Sequence, residues 1–260
     1  MNLDSKMAGY SGIHCQGRFR CSMKVAVLAS GGKDSTYASW WALMQGWDLE
    51  VMITVKITGD DSMMFQLQNT EVVEFQAKSI GVDWVEVKSL GIENDEIVDL
   101  EEAIREYDGD LDAIVVGALR SDYQKTRIER MCERVNLRSF CPLWHHSPSE
   151  HMNSLVEHGF DVRIVSVSSE GLDQRWLGKK ITNESLKELT ILSNKFRFNL
   201  DGEGGEFETI TLNGPHFKKK IICEGEKTWN GVRGVWNITK IQLSPCLLYT
   251  SPSPRDAIPS

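Results

Sequence analysis

The stretch KVAVLASGGKDSTYASWWALM, residues 24–44, decides the fold. It opens with a continuous apolar run, which is typical of a strand buried in a parallel sheet, and closes with a helical segment that Gly46 ends. Between these segments, residues 30–35 include two glycines, a lysine, an aspartate and two serines. Backbone without Cβ atoms can approach an anion closely, and the free N–H groups of a helix N-terminus attract one. The stretch therefore predicts an anion-binding loop at the carboxyl end of the first strand.

Strand-like and helix-like segments alternate through the first half of the chain. The helix-like ones place apolar residues on one face, as Ile97, Leu100 and Ile104 do in DEIVDLEEAIREY. This alternation predicts an α/β fold with a doubly wound, mostly parallel sheet and right-handed crossovers. The predicted strands are residues 24–29, 49–55, 84–87 and 112–119, and the predicted helices are residues 34–45, 69–81 and 95–107.

The pattern changes near residue 136. FDVRIVSVS is a further strand, but the later segments are punctuated by glycine and include short alternating runs such as WNITKIQLS. We therefore expect a first domain over residues 23–135 and a smaller α+β domain over residues 136–245.

Both ends of the chain are interpreted as foreign to this fold. Residues 1–22 show neither periodicity nor an apolar signal core, and Met23 directly precedes the first strand. We expect translation from an upstream start there, with a disordered extension as the alternative. CLLYTSPSPRD, residues 246–256, resembles the translation of a common transposase sequencing adapter, so residues 246–260 are expected to be an artefact.

Composition excludes several classes of protein. The 260 residues carry a formal net charge of −8, and residues 1–22 hold more cations than anions, so the remainder is more acidic still. An acidic chain is poorly suited to broad nucleic-acid binding, and no apolar run approaches the roughly 20 residues of a membrane span. Between the two ends, the cysteines are Cys132, Cys141 and Cys223, without a metal-ligand spacing. That usage is typical of a reducing cytoplasm, where we expect the protein to work.

The SGGKDS loop at residues 30–35 differs from two common phosphate-binding loops. A Walker A loop needs GxxxxGK[ST], but Val27 stands at the place of the first glycine and Asp34 follows the lysine. The dinucleotide fingerprint GxGxxG has no match, and a glycine turn with an incidental lysine is the simplest alternative. SGGKDS resembles the pyrophosphate loop of the N-type ATP pyrophosphatases, the PP-loop family. Its members cleave ATP between the α and β phosphates to activate an acceptor as an adenylate.

Three later stretches are unusually polar or acidic. GALRSDYQKTRIERMC, residues 117–132, crowds charged and polar side chains after the fourth strand, although Ser121 could simply cap a solvated helix. SSEGLDQRWLGKKI, residues 168–181, forms a turn after a strand. DGEGGEFETITLNGPHF, residues 201–217, is either a solvated acidic turn or a site at which Glu206 and Glu208 face a cation, an amine or ammonia. Like charges so close together need compensation.

These stretches, in this order, resemble the diphthine–ammonia ligase family. GALRSDYQKTRIE, PLW at residues 142–144, EGLD with LG, and GEGGEFET provide the resemblance, together with MMFQLQNTEVVEFQAKSIGV in the first domain. The resemblance covers residues 23–217, and the short two-domain form is similar to the archaeal branch. One position departs from the family pattern, because Gln66 stands where histidine is usual.

The resemblance implies a reaction. Diphthine, a modified histidine of translation elongation factor 2, would be amidated with ammonia and ATP through an acyl-adenylate, giving diphthamide, AMP and pyrophosphate. The first domain would bind ATP and Mg²⁺, with Asp34 near the metal, and the second would bind the substrate. The expected catalytic residues are Lys33, Asp34, Glu206 and Glu208. The expected ATP-binding residues are Ser30, Gly31, Gly32, Lys33, Asp34, Ser35, Thr54, Val55 and Gly117, and the expected substrate-binding residues are Arg120, Asp122, Tyr123, Gln124, Arg127, Gly204, Gly205 and Glu206.

Two alternatives stay open. A PP-loop enzyme that thiolates or amidates tRNA would use a persulfide-carrying cysteine pair or a basic RNA-binding domain, and the sequence shows neither. An ATP-sensing module would bind nucleotide without turnover. Cys132 shares a helical face with Ile128 and Met131, which is typical of a core position, so free ammonia rather than a glutaminase is the expected donor. We expect neither nucleic acid nor a membrane among the partners.

Overall fold

A computed structural model describes residues 22–57, 70–90 and 95–245. Gln66 lies outside these ranges. The expectations for the two ends of the chain concern residues 1–21 and 246–260, which also lie outside them, and Ser22 and Met23, which are described. In the described residues the strands are β1 (Lys24–Leu28), β2 (Asp48–Ile57), β3 (Asp83–Ser89), β4 (Ala113–Val116), β5 (Arg138–Phe140), β6 (Asp161–Val167), β7 (Phe207–Asn213), β8 (Ile221–Trp229) and β9 (Gly234–Leu243). The helices are α1 (Lys33–Met44), α2 (Val72–Ile80), α3 (Asp95–Glu106), α4 (Asp122–Arg134), α5 (Pro148–Glu157) and α6 (Asn183–Phe196).

The first five strands form one parallel sheet, which confirms the predicted fold class. Its order is β3-β2-β1-β4-β5. The sheet is covered on both faces: α1 and α2 pack with Val25 and Val27 on one side, and α3 and α4 pack with Ala26 and Leu28 on the other. A strand buried on both faces has no solvent-facing positions, which explains why β1 is continuously apolar.

The strand order reverses between β1 and β4. From β1 the chain builds outward through β2 and β3, and then returns to place β4 and β5 on the other side. In open parallel sheets, ligands bind beyond the carboxyl ends of the strands at this reversal. The SGGKDS loop follows β1 and therefore lies at the reversal.

β5 extends the parallel sheet beyond the expected domain boundary. Phe140 pairs with Val115 of β4, so the sheet continues past residue 135. β5 is only three residues long, and a strand this short gives little periodicity to read from sequence.

The second half forms an antiparallel sheet in the order β7-β6-β9-β8, and buried residues of α5 and α6 share one core cluster with it. This smaller α+β region was predicted, and FDVRIVSVS and WNITKIQLS correspond to β6 and β9. One buried cluster joins the two halves, since it includes Val25 and Ala38 together with Ile164, Leu189 and Ile210. Within the described residues, no helix is both long enough and apolar enough to span a membrane.

Candidate active site

A cleft opens at the carboxyl ends of β1, β2 and β4. Ile53, Val55 and Ile128 contribute apolar wall, and the SGGKDS loop contributes polar wall. The cleft therefore joins a surface suited to a flat apolar group with one suited to an anion. The predicted site residues that line it are Ser30, Asp34, Ser35, Val55, Gly117 and Gln124.

The two glycines of the SGGKDS loop leave helix amides unpaired. Gly31 has a φ of +83°, which side-chain-bearing residues rarely adopt, and a Cβ there would overlap Cγ1 of Val72. Gly32 is the N-cap of α1 and has no side chain with which to cap the helix. The N–H groups of Asp34 and Ser35 accordingly have no acceptor among the described residues. They are available to an anion, and the helix dipole favours one there.

Gly117 lets β4 approach the loop. A Cβ at Gly117 would lie 2.6 Å from the carbonyl carbon of Asp34 and 2.7 Å from the nitrogen of Ser35. Both distances are shorter than van der Waals contact, so glycine is required for the first turn of α1 to sit where it does. The predicted role of Gly117 beside the nucleotide is thus accompanied by a packing role.

Asp34 is held by two donors. Lys33 Nζ donates to Oδ2 at 2.8 Å, and His151 Nε2 lies 2.7 Å from Oδ1. Burial raises the pKa of the Asp34 carboxyl, but the charges and hydrogen bonds of Lys33 and His151 outweigh burial and hold the pKa below its usual range. Asp34 is therefore ionised at neutral pH and accepts only, so His151 Nε2 must carry the hydrogen.

The SGGKDS loop is fastened to the second sheet. Thr211 N–H donates to the Gly31 carbonyl at 2.9 Å, and Lys33 N–H donates to Thr209 Oγ1 at 3.1 Å. From α2, the amide of buried Gln76 donates to the carbonyls of Gly31 at 3.0 Å and Thr211 at 2.8 Å. We call Gln76, Thr209 and Thr211 the loop clamp. It makes the loop conformation depend on both halves of the chain.

Thr54 and Val55 differ in orientation, as neighbours on a strand must. Val55 lines the cleft. The Thr54 hydroxyl instead accepts a hydrogen bond from Trp84 Nε1 at 3.1 Å and is buried. Of the two predicted nucleotide residues, Val55 is the one that lines the cleft, and contacts of either backbone with an adenine ring stay a prediction.

In the polar block after β4, too, some residues line the cleft and others do not. Ser121 caps α4 by accepting from the Gln124 N–H, and Gln124 lines the cleft. Asp122 is exposed, and the Arg127 guanidinium lies 3.8 Å from the ring centre of Tyr123.

Arg120 connects this block to the acidic loop at residues 201–206. Its guanidinium donates to both carboxylate oxygens of Asp201 at 2.8 Å, and Asp201 is fully buried. The Arg120 N–H donates to Glu203 Oε1 at 3.1 Å. The predicted substrate role of Arg120 is therefore combined with an internal ion pair.

Glu203, rather than Glu206 or Glu208, is the glutamate of this loop that lines the cleft. Burial raises the pKa of Glu203, and the nearby charge of Asp34 raises it further. Repulsion between these carboxylates would be relieved by a cation or by a proton. Sequence reasoning selected the loop but not this residue.

Glu206 stabilises its own loop. Its carboxylate accepts from the Asn199 N–H, from Asn199 Nδ2 and from the Gly204 N–H, each at 2.8 Å. Gly204 and Gly205 are exposed in the turn, and Gly205 has a positive φ.

Glu208 is half-buried on β7. Its Oε2 has no hydrogen-bond partner among the described residues, and burial raises the pKa of the carboxyl. Because side chains alternate along a strand, Glu208 lies on the face of β7 opposite Thr209 of the loop clamp. The structure thus does not bring Glu208 into the cleft beside Asp34.

The residues present fit ATP. Unpaired amides, Lys33 and two serines suit phosphates, and the wall around Val55 suits an adenine ring. Asp34 and Glu203 are the carboxylates of the cleft lining, and Mg²⁺ is commonly held by one or two carboxylates together with substrate phosphates.

His151, Gln76, Thr209 and Thr211 were not identified from the sequence. Each contacts the loop from a distant segment, as His151 does across 117 positions. A single histidine or threonine in an amphipathic element gives no signal of such a contact.

Comparison with known proteins identifies the family. The model of the diphthamide synthase N-terminal domain matches residues 23–139, and that of the diphthamide synthase C-terminal domain matches residues 147–243. A rat protein named diphthine–ammonia ligase is 31% identical over 223 residues, covering 78% of this chain and 83% of its own. A human protein of the same name is 30% identical over 227 residues, covering 79% of this chain and 84% of its own.

One solved structure is a more distant match. It comes from Methanocaldococcus jannaschii and is described as a predicted subunit of tRNA methyltransferase; it is 17% identical and covers 84% of this chain and 98% of its own. Its TM-score of 0.38 is too low to bear on fold or function. The two domain matches in order, and relatives that align over most of both chains, show that the chain belongs to the diphthamide synthase family.

Proposed function

We propose that the chain is an ATP-dependent diphthine–ammonia ligase, which amidates the diphthine carboxylate of translation elongation factor 2. The main support is that the SGGKDS loop and Glu203 of the acidic loop line one cleft. A nucleotide-binding loop and a second, acidic loop thus meet at one place, as expected of an enzyme that activates a carboxylate and then joins it to an amine. Family membership does not favour the tRNA-modifying or ATP-sensing alternatives.

The chemistry needs activation because a carboxylate oxygen is a poor leaving group. Attack of the diphthine carboxylate on the α-phosphorus forms the P–O bond of an acyl-adenylate and breaks the bond to the β-phosphate oxygen, so pyrophosphate leaves. The lone pair of ammonia then attacks the acyl carbon, AMP leaves, and the surplus proton passes to a base.

The chain supplies charge stabilisation and orientation. The N–H groups of Asp34 and Ser35, with Lys33 Nζ, stabilise negative charge that grows on the departing pyrophosphate. Mg²⁺, held by Asp34 and Glu203 with most of its waters, would neutralise phosphate charge. The wall that includes Val55 takes the adenine ring.

The acceptor side involves the second half. Glu208 lies outside the cleft lining, so it would serve an acceptor that extends past the cleft to β7. Its pKa is raised by burial, which makes its carboxylate a stronger base for a proton from ammonium and a partner for the cationic group of diphthine. Glu206 contributes by holding the loop through Asn199. The residues proposed to bind and orient the substrate are Arg120, Asp122, Tyr123, Gln124, Arg127, Gly204 and Gly205.

We further propose that residues 23–135 bind ATP and share Mg²⁺ with Glu203, and that residues 136–245 bind the acceptor together with the polar block after β4. We also propose that the chain's two domains are similar to those of the archaeal branch, that the protein works in the cytoplasm and that it takes free ammonia.

The test follows pyrophosphate release from ATP by the full chain, with ammonium and diphthine-bearing elongation factor 2. Unmodified factor and bulk tRNA are the controls. Release that needs both ammonium and the diphthine form, with a mass change from carboxylate to amide on the factor, is expected. Release that depends on tRNA, or ATP binding without release under any condition, would contradict the proposal.

A matched pair of variants tests Glu208. Glu208→Gln is expected to lower kcat about 10²-fold or more, whereas Glu226→Gln, an exposed position on β8, is expected to retain activity.

A further inference from the structure

We propose that His151 is a positioning residue that fixes the orientation of the Asp34 carboxylate at the nucleotide cleft. The inference rests on the proposed function in one respect, that ATP occupies this cleft. His151 Nε2 lies 2.7 Å from Asp34 Oδ1, and Asp34 lines the cleft. His151 itself does not line it, so it acts through Asp34.

The imidazole ring is held in place by its surroundings. His151 is 1% exposed and lies on α5 beside Met152, which is fully buried. The ring of Tyr37 lies edge-on to it with centres 5.3 Å apart, and the Tyr37 hydroxyl is 2.9 Å from Ser154 Oγ on the same helix. Tyr37 and Asp34 are three residues apart on α1, so both face α5. One residue of the second half thus contacts the first turn of α1 in a fixed geometry.

Packing alone does not account for a histidine at this position. Nδ1 is buried without a hydrogen-bond partner among the described residues, and an unpaired buried polar atom is unfavourable. Leucine would fill similar space beside Met152 with no such atom. The hydrogen bond to Asp34 is what the imidazole offers and leucine does not.

The bond matters because Asp34 has a second, competing partner. Lys33 Nζ binds Oδ2 at 2.8 Å, and the Lys33 side chain is only 5% exposed. If phosphates draw the ammonium of Lys33 away, an Asp34 without His151 would lose its remaining donor and its fixed orientation. With His151 in place, Asp34 Oδ1 stays hydrogen-bonded, and Oδ2 can bind a new cation in the place of Lys33.

Calorimetric titration of the full chain with ATP in the presence of Mg²⁺ tests the role. His151→Leu is expected to weaken ATP binding about 10- to 100-fold, as outer partners of ligating groups commonly do, and to raise the KM for ATP more than it changes the KM for ammonium. His151→Gln is expected to recover most of the affinity, because its amide nitrogen can reach Asp34 Oδ1. His158→Leu, an exposed position at the end of the same helix, is the control and is expected to bind as the unchanged chain does.

The outcomes separate the two proposals. An unchanged chain that binds no ATP would remove the proposed function and this inference together. If the unchanged chain binds ATP and His151→Leu binds it equally well, or if His151→Gln is as weak as His151→Leu, only the role of His151 is overturned. A thermal melt of each variant checks folding. Should the leucine variant not fold, His151→Asn, whose shorter amide falls short of Asp34, takes its place.

Discussion

Gly117 shows how one missing methyl group permits a site. Because a Cβ would lie 2.6 Å from the Asp34 carbonyl carbon, we expect Gly117→Ala to push the first turn of α1 and to weaken ATP binding at least about tenfold, in keeping with overpacking costs of about 1–3 kcal/mol. ATP titration measures this. Gly231→Ala is the control: its φ of +95° strains the substitution within its own turn, where nothing lies within 4 Å. Equal losses of ATP affinity in the two variants would contradict the explanation.

His216 predicts a pH dependence of stability. Burial lowers its pKa from the usual 6.5 to about 4, and Nε2 lies 2.9 Å from Ser39 Oγ. The contribution of neutral His216 to the free energy of unfolding is complete above pH 6.5 and is lost as pH falls toward 4. Over that range the unfolded chain gains a proton that the folded chain does not take up. We expect about 3 kcal/mol of the free energy of unfolding to be lost this way between pH 7 and pH 4.

Urea unfolding of the chain and of His216→Gln at both pH values isolates this contribution, because all other titrating groups are shared. The variant is expected to lose about 3 kcal/mol less on acidification. Parallel losses would show that the histidine is protonated in the folded state.

At the scale of elements, the Arg120–Asp201 ion pair connects the loop after β4 to the acidic loop. Asp201→Ala leaves the guanidinium without its partner, and breaking a buried pair is strongly unfavourable. Since Arg120 is 28% exposed, we expect a loss of about 2–3 kcal/mol in the free energy of unfolding, below the range for full burial.

Urea unfolding provides the measurement. Glu224→Ala, which removes an exposed pair with Lys240, is the comparison and is expected to cost under about 1 kcal/mol. A cost for Asp201→Ala no larger than this would mean that solvent already screens the Arg120 pair.

For the whole molecule, the shared buried cluster predicts one cooperative transition. Val25 and Ala38 of the first half pack in the same cluster as Ile164 and Leu189 of the second, so unfolding of either half would disrupt a cluster that the other half shares. Tryptophan fluorescence and far-ultraviolet circular dichroism are expected to give coincident urea midpoints. Two separate transitions would show that the halves are independent.

Much of this architecture was predictable because it depends on local pattern. Residues 25–28 of β1 and the whole of β4 are uninterrupted apolar runs, and Gly46 and Gly81 end helices where the sequence indicated. Short β5 was not predicted, because three residues carry too little periodicity.

The site was predictable only where its residues adjoin in sequence. Residues 30–35 form a loop whose function shows in their order, but Asp34 meets His151 only after folding. The sequence does not distinguish Glu203 from Glu206, because both are acidic residues of one loop. Nothing local reveals that Asn199 and Gly204 bind Glu206.

The antiparallel sheet has two outer strands, and they are treated differently. β7 is joined at Thr211 to Gly31 and Gln76, whereas β8 has no strand paired on its outer side among the described residues and carries exposed Glu224, Glu226 and Lys227. An uncovered strand invites pairing with a neighbouring molecule, and charges along it make that pairing unfavourable. Within the described residues, one outer strand is thus joined to the SGGKDS loop, and the other carries charges that disfavour pairing between crowded copies of the protein.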